Sequence, residues 1–116
     1  MNYKNFKLFG EEQIEEWAHQ WPFRMNRLIT ALEEFVCDGP ATRVAPADGV
    51  SIGVEVYLTP PRSILRGVPD AAALVLVNHR AQTIELIEVI DDYVETDEQD
   101  WLDVVSRAER ALEIHR

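Results

Sequence analysis

The chain predicts an α+β fold: a three-stranded antiparallel meander packed against two N-terminal helices and one C-terminal helix, in the order α-α-β-β-β-α. Three observations carry this expectation. Apolar residues recur at helical spacing in residues 11–36 and again after residue 96. The period changes to two after residue 49. No strand pattern alternates regularly with crossover helices, so a doubly wound parallel sheet is not expected.

The elements follow in order. The pattern of residues 3–9 allows an extra N-terminal strand. Glu11 to Gln20 reads as a helix because Ile14, Trp17 and Trp21 fall on one stripe, and Pro22 kinks it or starts a new one. Met25, Leu28, Ile29, Leu32, Phe35 and Val36 form a second apolar stripe, stopped by Asp38-Gly39-Pro40. Residues 39–49, with Gly39, Pro40, Pro46 and Gly49, read as loop. Val50, Ile52, Val54, Val56 and Leu58 then alternate with Ser51, Gly53, Glu55, Tyr57 and Thr59, as in a strand with one buried face. A long loop from Thr59 to about Asp70 follows. Ala72 to Val77 is wholly apolar and reads as the central strand, with Asn78-His79-Arg80-Ala81 as a hairpin turn. In the return strand, Thr83 to Ile90, the alternation slips between Leu86 and Ile87, which a bulge or burial on both faces would explain. The last helix runs from about Asp97 to Ile114. Thr96 and Gln99 have the spacing of a capping box, and Trp101, Val105, Ala108 and Leu112 share a face. The helices are expected on one face of the sheet.

The 116 residues suit one domain spanning 1–116, and an apolar content of 47% allows a core without disulfide or metal. Cys37 is the single cysteine, which favours a reducing, cytoplasmic setting; it is expected to be a small core residue. The N-terminus lacks an apolar run long enough for a signal peptide, and Ala71 to Val77 is too short to span a bilayer.

Chemistry-bearing motifs are sparse. His19, His79 and His115 lie far apart, and no CxxC or HExxH occurs, so no metal site is expected. No GxSxG, GxGxxG or P-loop is present, and no cofactor is expected. Lys4 and Lys7 are the only lysines. Pro69-Asp70 followed by Glu85-Leu86-Ile87 resembles the PD…(D/E)xK pattern of restriction-type metal nucleases. It departs from that pattern at Ile87, where the family needs lysine, so no nuclease site is expected. The carboxylate pairs Glu11-Glu12, Glu15-Glu16, Glu33-Glu34 and Asp91-Asp92 read as solvated faces.

Charge is the unusual quantity. There are 21 acidic against 11 basic residues, a net charge of −10. Such a surface repels phosphate backbones and anionic membranes, which argues against nucleic-acid and membrane partners. It attracts basic proteins. Between Arg80 and Arg107 there is no basic residue, and Glu85, Glu88, Asp91, Asp92, Glu95, Asp97, Glu98, Asp100 and Asp103 crowd that stretch with Tyr93 and Trp101 among them. Helix N-terminal preference accounts for Asp97, Glu98 and Asp100, and core packing for Trp101. The residues expected to meet a partner are Glu88, Asp91, Asp92, Tyr93, Glu95, Asp97, Glu98, Asp100 and Asp103.

The expected function is therefore an acidic protein-binding module, in its sharpest form an inhibitor or immunity-type protein that neutralises a basic partner such as a nuclease toxin. The alternatives are a small enzyme or small-molecule binder that uses Arg62 and Arg66 of the 59–70 loop with His79 as base, or an adaptor subunit whose tryptophans face another chain. Association into oligomers is compatible with each.

Overall fold

The computed structural model describes residues 3–10, 12, 15, 16, 19, 25–37, 41–46, 53–59, 70–94 and 96–114, with backbone alone at 25–27, 70, 91 and 92. Five strands and two helices make up the described elements: β1 (Lys7–Phe9), α1 (Met25–Val36), β2 (Thr42–Ala45), β3 (Val54–Leu58), β4 (Asp70–Asn78), β5 (Thr83–Tyr93) and α2 (Glu98–Ile114). The sheet order is β1-β5-β4-β3-β2. Strands β2 to β5 form an antiparallel meander, and β1 lies parallel to β5 at the far edge.

This corrects the expected fold. The sheet is five-stranded and mixed, not a three-stranded antiparallel meander. Of the expected first helix, Glu12, Glu15, Glu16 and His19 are helical and the remainder lies outside the described residues. β1, three residues long, falls within the extra strand allowed at residues 3–9; β2 was read as loop, because its four residues are too few to show a period and sit in a stretch punctuated by Pro40 and Pro46.

The helices also cover both faces of the sheet, not one. Side chains of a strand alternate between faces. In β4, Ala73, Val75 and Val77 meet Leu28, Leu32 and Phe35 of α1, while Ala72, Leu74 and Leu76 meet Val104, Ala108 and Leu112 of α2. Both helices supply apolar residues at intervals of three or four, so each buries one stripe. Leu74, fully buried between the layers, contributes about 1.5–3 kcal/mol by removal from water.

Local chemistry fixes the joints. Asn78 Oδ1 accepts the N–H groups of Arg80 (3.1 Å) and Ala81 (3.0 Å), which closes the β4–β5 turn. Gln82 completes that turn at φ 55°. At the end of β3, Thr59 exchanges two bonds with Ala73: its N–H donates to the Ala73 carbonyl, and its Oγ1 accepts the Ala73 N–H, both at 2.9 Å. The slip at Leu86–Ile87 is a bulge. Leu86 faces Val75 and Glu88 faces Leu74, with Ile87 as the extra residue. Tyr3 anchors the N-terminal segment: its N–H bonds the Val36 carbonyl at 2.9 Å and its ring stacks on Phe35 at 5.1 Å. Cys37, expected in the core, is exposed at the end of α1, because the apolar stripe has ended by that turn.

Candidate functional site

Helix α2 lies over β2 and β3. That placement leaves the β5 side of the same sheet face open along the helix. Between the C-terminal half of α2 and β5 runs a groove of about 620 Å³. The bulge at Ile87 builds one wall, because it turns both Ile87 and Glu88 toward α2. Asp103, Arg107, Arg110, Ala111 and Ile114 form the helical wall; Glu85, Leu86, Ile87 and Glu88 form the strand wall; Glu12 joins them. Ile114 is 80% exposed. Phe9, half-exposed, is the register partner of Glu85 on the neighbouring strand.

The electrostatics of the groove are lopsided. Four carboxylates (Glu12, Glu85, Glu88 and Asp103) face two guanidinium groups, Arg107 and Arg110. Arg107 is held within the chain: its Nη1 bonds Glu88 Oε1 and its Nη2 lies 3.0 Å from Asp103 Oδ2, one turn back on the helix.

The expected acidic surface divides into parts. Glu88 and Asp103 stand on the groove walls. Asp97 and Asp100 serve the start of α2. Asp97 Oδ1 accepts the N–H groups of Gln99 (2.9 Å) and Asp100 (3.1 Å), so Asp97 caps the helix where Thr96 was expected to. Asp100 Oδ2 accepts the Val94 N–H at 3.0 Å and ties the helix back to the strand. Glu98 is exposed. Tyr93 is 5% exposed and packs in the core beneath α2, which leaves it no surface with which to anchor a partner. Asp91 and Asp92 lie in β5, with side chains outside the described set, and Glu95 lies outside it altogether.

A second polar cluster occupies the opposite face. Glu55, 13% exposed at its side chain, accepts the Tyr57 hydroxyl at 3.1 Å, lies 2.8 Å from His79 Nε2 and pairs with Arg43 at 3.6 Å. The rings of Tyr3 and Phe6 stand 6.2 and 6.1 Å from His79. Burial, with Tyr3 and Glu55 close by, pushes the Tyr57 phenol well above its ordinary value. The cluster cross-links β2, β3 and the β4–β5 turn, and it orients the imidazole that an enzyme reading would use as base. The other residues of that reading, Arg62 and Arg66, lie outside the described set, as do His115 and most of the 59–70 loop. Among the described residues, no three His, Cys, Asp or Glu side chains converge to hold a metal ion. No described helix is long and apolar enough to cross a membrane.

Of the nine residues that the sequence pointed to, Glu88 and Asp103 line the groove; its apolar lining residues Ile87, Ala111 and Ile114 were not among them. The available signals were the slipped alternation at Ile87 and an isoleucine at the very end of the α2 helix. No known family, curated protein or solved structure matches the chain.

Proposed function

We propose that this chain is a protein-binding module that takes a positively charged segment of a partner into the groove between β5 and α2. One observation carries the reading: a groove partly lined by Leu86, Ile87, Ala111 and Ile114 carries four carboxylates against two guanidinium groups, on a chain of net charge −10. Aliphatic side chains supply area to bury, and the carboxylates select the sign of what enters. The sharper form, an inhibitor of a basic toxin such as a nuclease, rests on charge alone. Nucleases are basic because they bind phosphates, and an acidic module mimics that polyanion.

The test is a titration with a lysine-rich peptide and its glutamate-rich counterpart, followed by amide NMR. Binding of the basic peptide alone is expected, with shifts at 85–88 and 103–114 and an affinity that falls as salt rises. Replacing Glu12 and Glu85 together by Gln should weaken it several-fold. Equal binding of both peptides, or shifts confined to other surfaces, would end the proposal.

A further inference from the structure

We infer that Arg107 is a built-in stand-in for the ligand: its guanidinium occupies the place that an arginine side chain of the partner takes when the groove is filled. The inference rests on the groove reading above. It names the cation that the groove selects and the residue that regulates its entry.

Arg107 joins the two walls of the groove. Its Nη1 bonds Glu88 Oε1 on β5, and its Nη2 lies 3.0 Å from Asp103 Oδ2 on α2. One guanidinium thus donates through two nitrogens to carboxylates on separate elements. The contact with Glu88 depends on a departure from regular strand geometry. In an unbroken strand Glu88 would share the face of Leu86, which packs in the layer under α1. The bulge at Ile87 turns Glu88 to the α2 face instead, opposite Leu74. The result is two carboxylates brought to one spot, an arrangement that repels itself until a cation lies between them.

The three side chains are each a third to a half exposed, so their contacts exchange without unfolding. Two ion pairs this wet favour the closed arrangement by only about 2- to 30-fold. An incoming guanidinium therefore displaces Arg107 and takes over both acceptors. Two N–H to carboxylate contacts break, two form, and Arg107 moves into water. The geometry also grades the incoming cation. Arginine brings the same planar fork as Arg107, whereas lysine brings a compact ammonium that holds strongly to water. The groove thus favours arginine over lysine, and Arg107 sets the threshold for entry. Apparent affinity falls by the fraction of time that the two acceptors stand open.

The experiment uses the whole chain, three variants, and two peptides identical except for arginine or lysine at every basic position. Arg107→Lys keeps the charge and loses the fork, and Arg107→Gln loses both. Arg110→Gln removes one charge from the same groove and leaves the Arg107 contacts in place. The native chain should bind the arginine peptide about threefold or more tightly than the lysine peptide. Arg107→Lys, on which charge alone has no effect, should raise affinity for the arginine peptide about twofold or more. Arg107→Gln should raise it about threefold or more beyond Arg110→Gln. As the arginine peptide saturates the native chain, the Nε–Hε resonance of Arg107 should move to the position of a solvated arginine. A silent Arg107→Lys, equal effects of Arg107→Gln and Arg110→Gln, or an Arg107 resonance that stays put at saturation would each overturn the exchange while charge-selected capture stands. Equal binding of the two peptides would overturn the arginine preference. If neither peptide shifts the groove, this proposal and the groove reading fall together.

Discussion

Replacing Arg107 by Gln isolates the groove's charge from its shape. Arg107 makes two ion pairs, with Glu88 and Asp103, and the three side chains are 33%, 40% and 51% exposed. Pairs this wet contribute about 0.2–1 kcal/mol each. Their loss should cost about 0.5–2 kcal/mol, or about 2–8 °C in Tm for a domain of this size. The same substitution changes the groove from two excess negative charges to three. An added unit charge about 4 Å from a lysine in water is worth about 1 kcal/mol, or about fivefold in affinity for the lysine-rich peptide. The variant should therefore be less stable and yet bind better. Calorimetric melting and peptide titration at low salt measure the two effects, and both should shrink toward zero near 1 M salt, where screening reaches about 3 Å. A folded variant that binds the basic peptide no better than the native chain at low salt would refute the electrostatic reasoning.

Three further outcomes are expected. Thr59→Val deprives the buried Ala73 N–H of its acceptor and should cost about 1–3 kcal/mol in denaturant unfolding, whereas Thr59→Ser keeps the bond and recovers most of it. Asp97→Ala removes the acceptor for two N–H groups at the start of α2 and should cost about 0.5–2 kcal/mol, with faster exchange at the amides of Gln99 and Asp100. The Tyr57 phenol is raised above its ordinary value of 10.0, so above that pH the folded chain holds a proton that the unfolded chain releases. Stability should therefore fall as pH rises beyond about 10, and urea midpoints of Tyr57→Phe should fall less steeply there.

Elements whose residues repeat a period over several turns could be read without coordinates. The stripe from Met25 to Val36 matches α1 at both ends, and the unbroken apolar run before Asn78 marks the strand at the sheet's centre. The slip at Leu86–Ile87 marks a real bulge. The edge strand β2 left no such trace, since four residues cannot display alternation, and β1 showed only as a strand allowed somewhere in residues 3–9. The layering was written in β4 itself: a strand with no polar alternate requires cover on both sides. For the site, acid count pointed to Glu88 and Asp103 but could not separate them from Asp97 and Asp100, whose carboxylates are spent on helix geometry. That separation needs the sheet register, which brings Arg107 to Glu88 across 19 residues of sequence. Tyr93 misled for the same reason: an aromatic among acids resembles an anchor until its strand is placed beneath a helix.

The wholly buried run Ala71–Val77 has a consequence for how this chain is made. Seven uncharged apolar residues in a row are the kind of segment that sticks to its own kind when bare. As synthesis proceeds, they emerge before the return strand and the helix that shelter them, so each nascent chain passes through a stage with an adhesive ribbon on show. Asp70 stands at one end of that ribbon, and the acids of β5 arrive soon after the other, so mutual repulsion between neighbouring nascent chains guards the interval. Neutralising those acids should therefore lower the yield of folded protein in the cell even where the finished fold is unharmed.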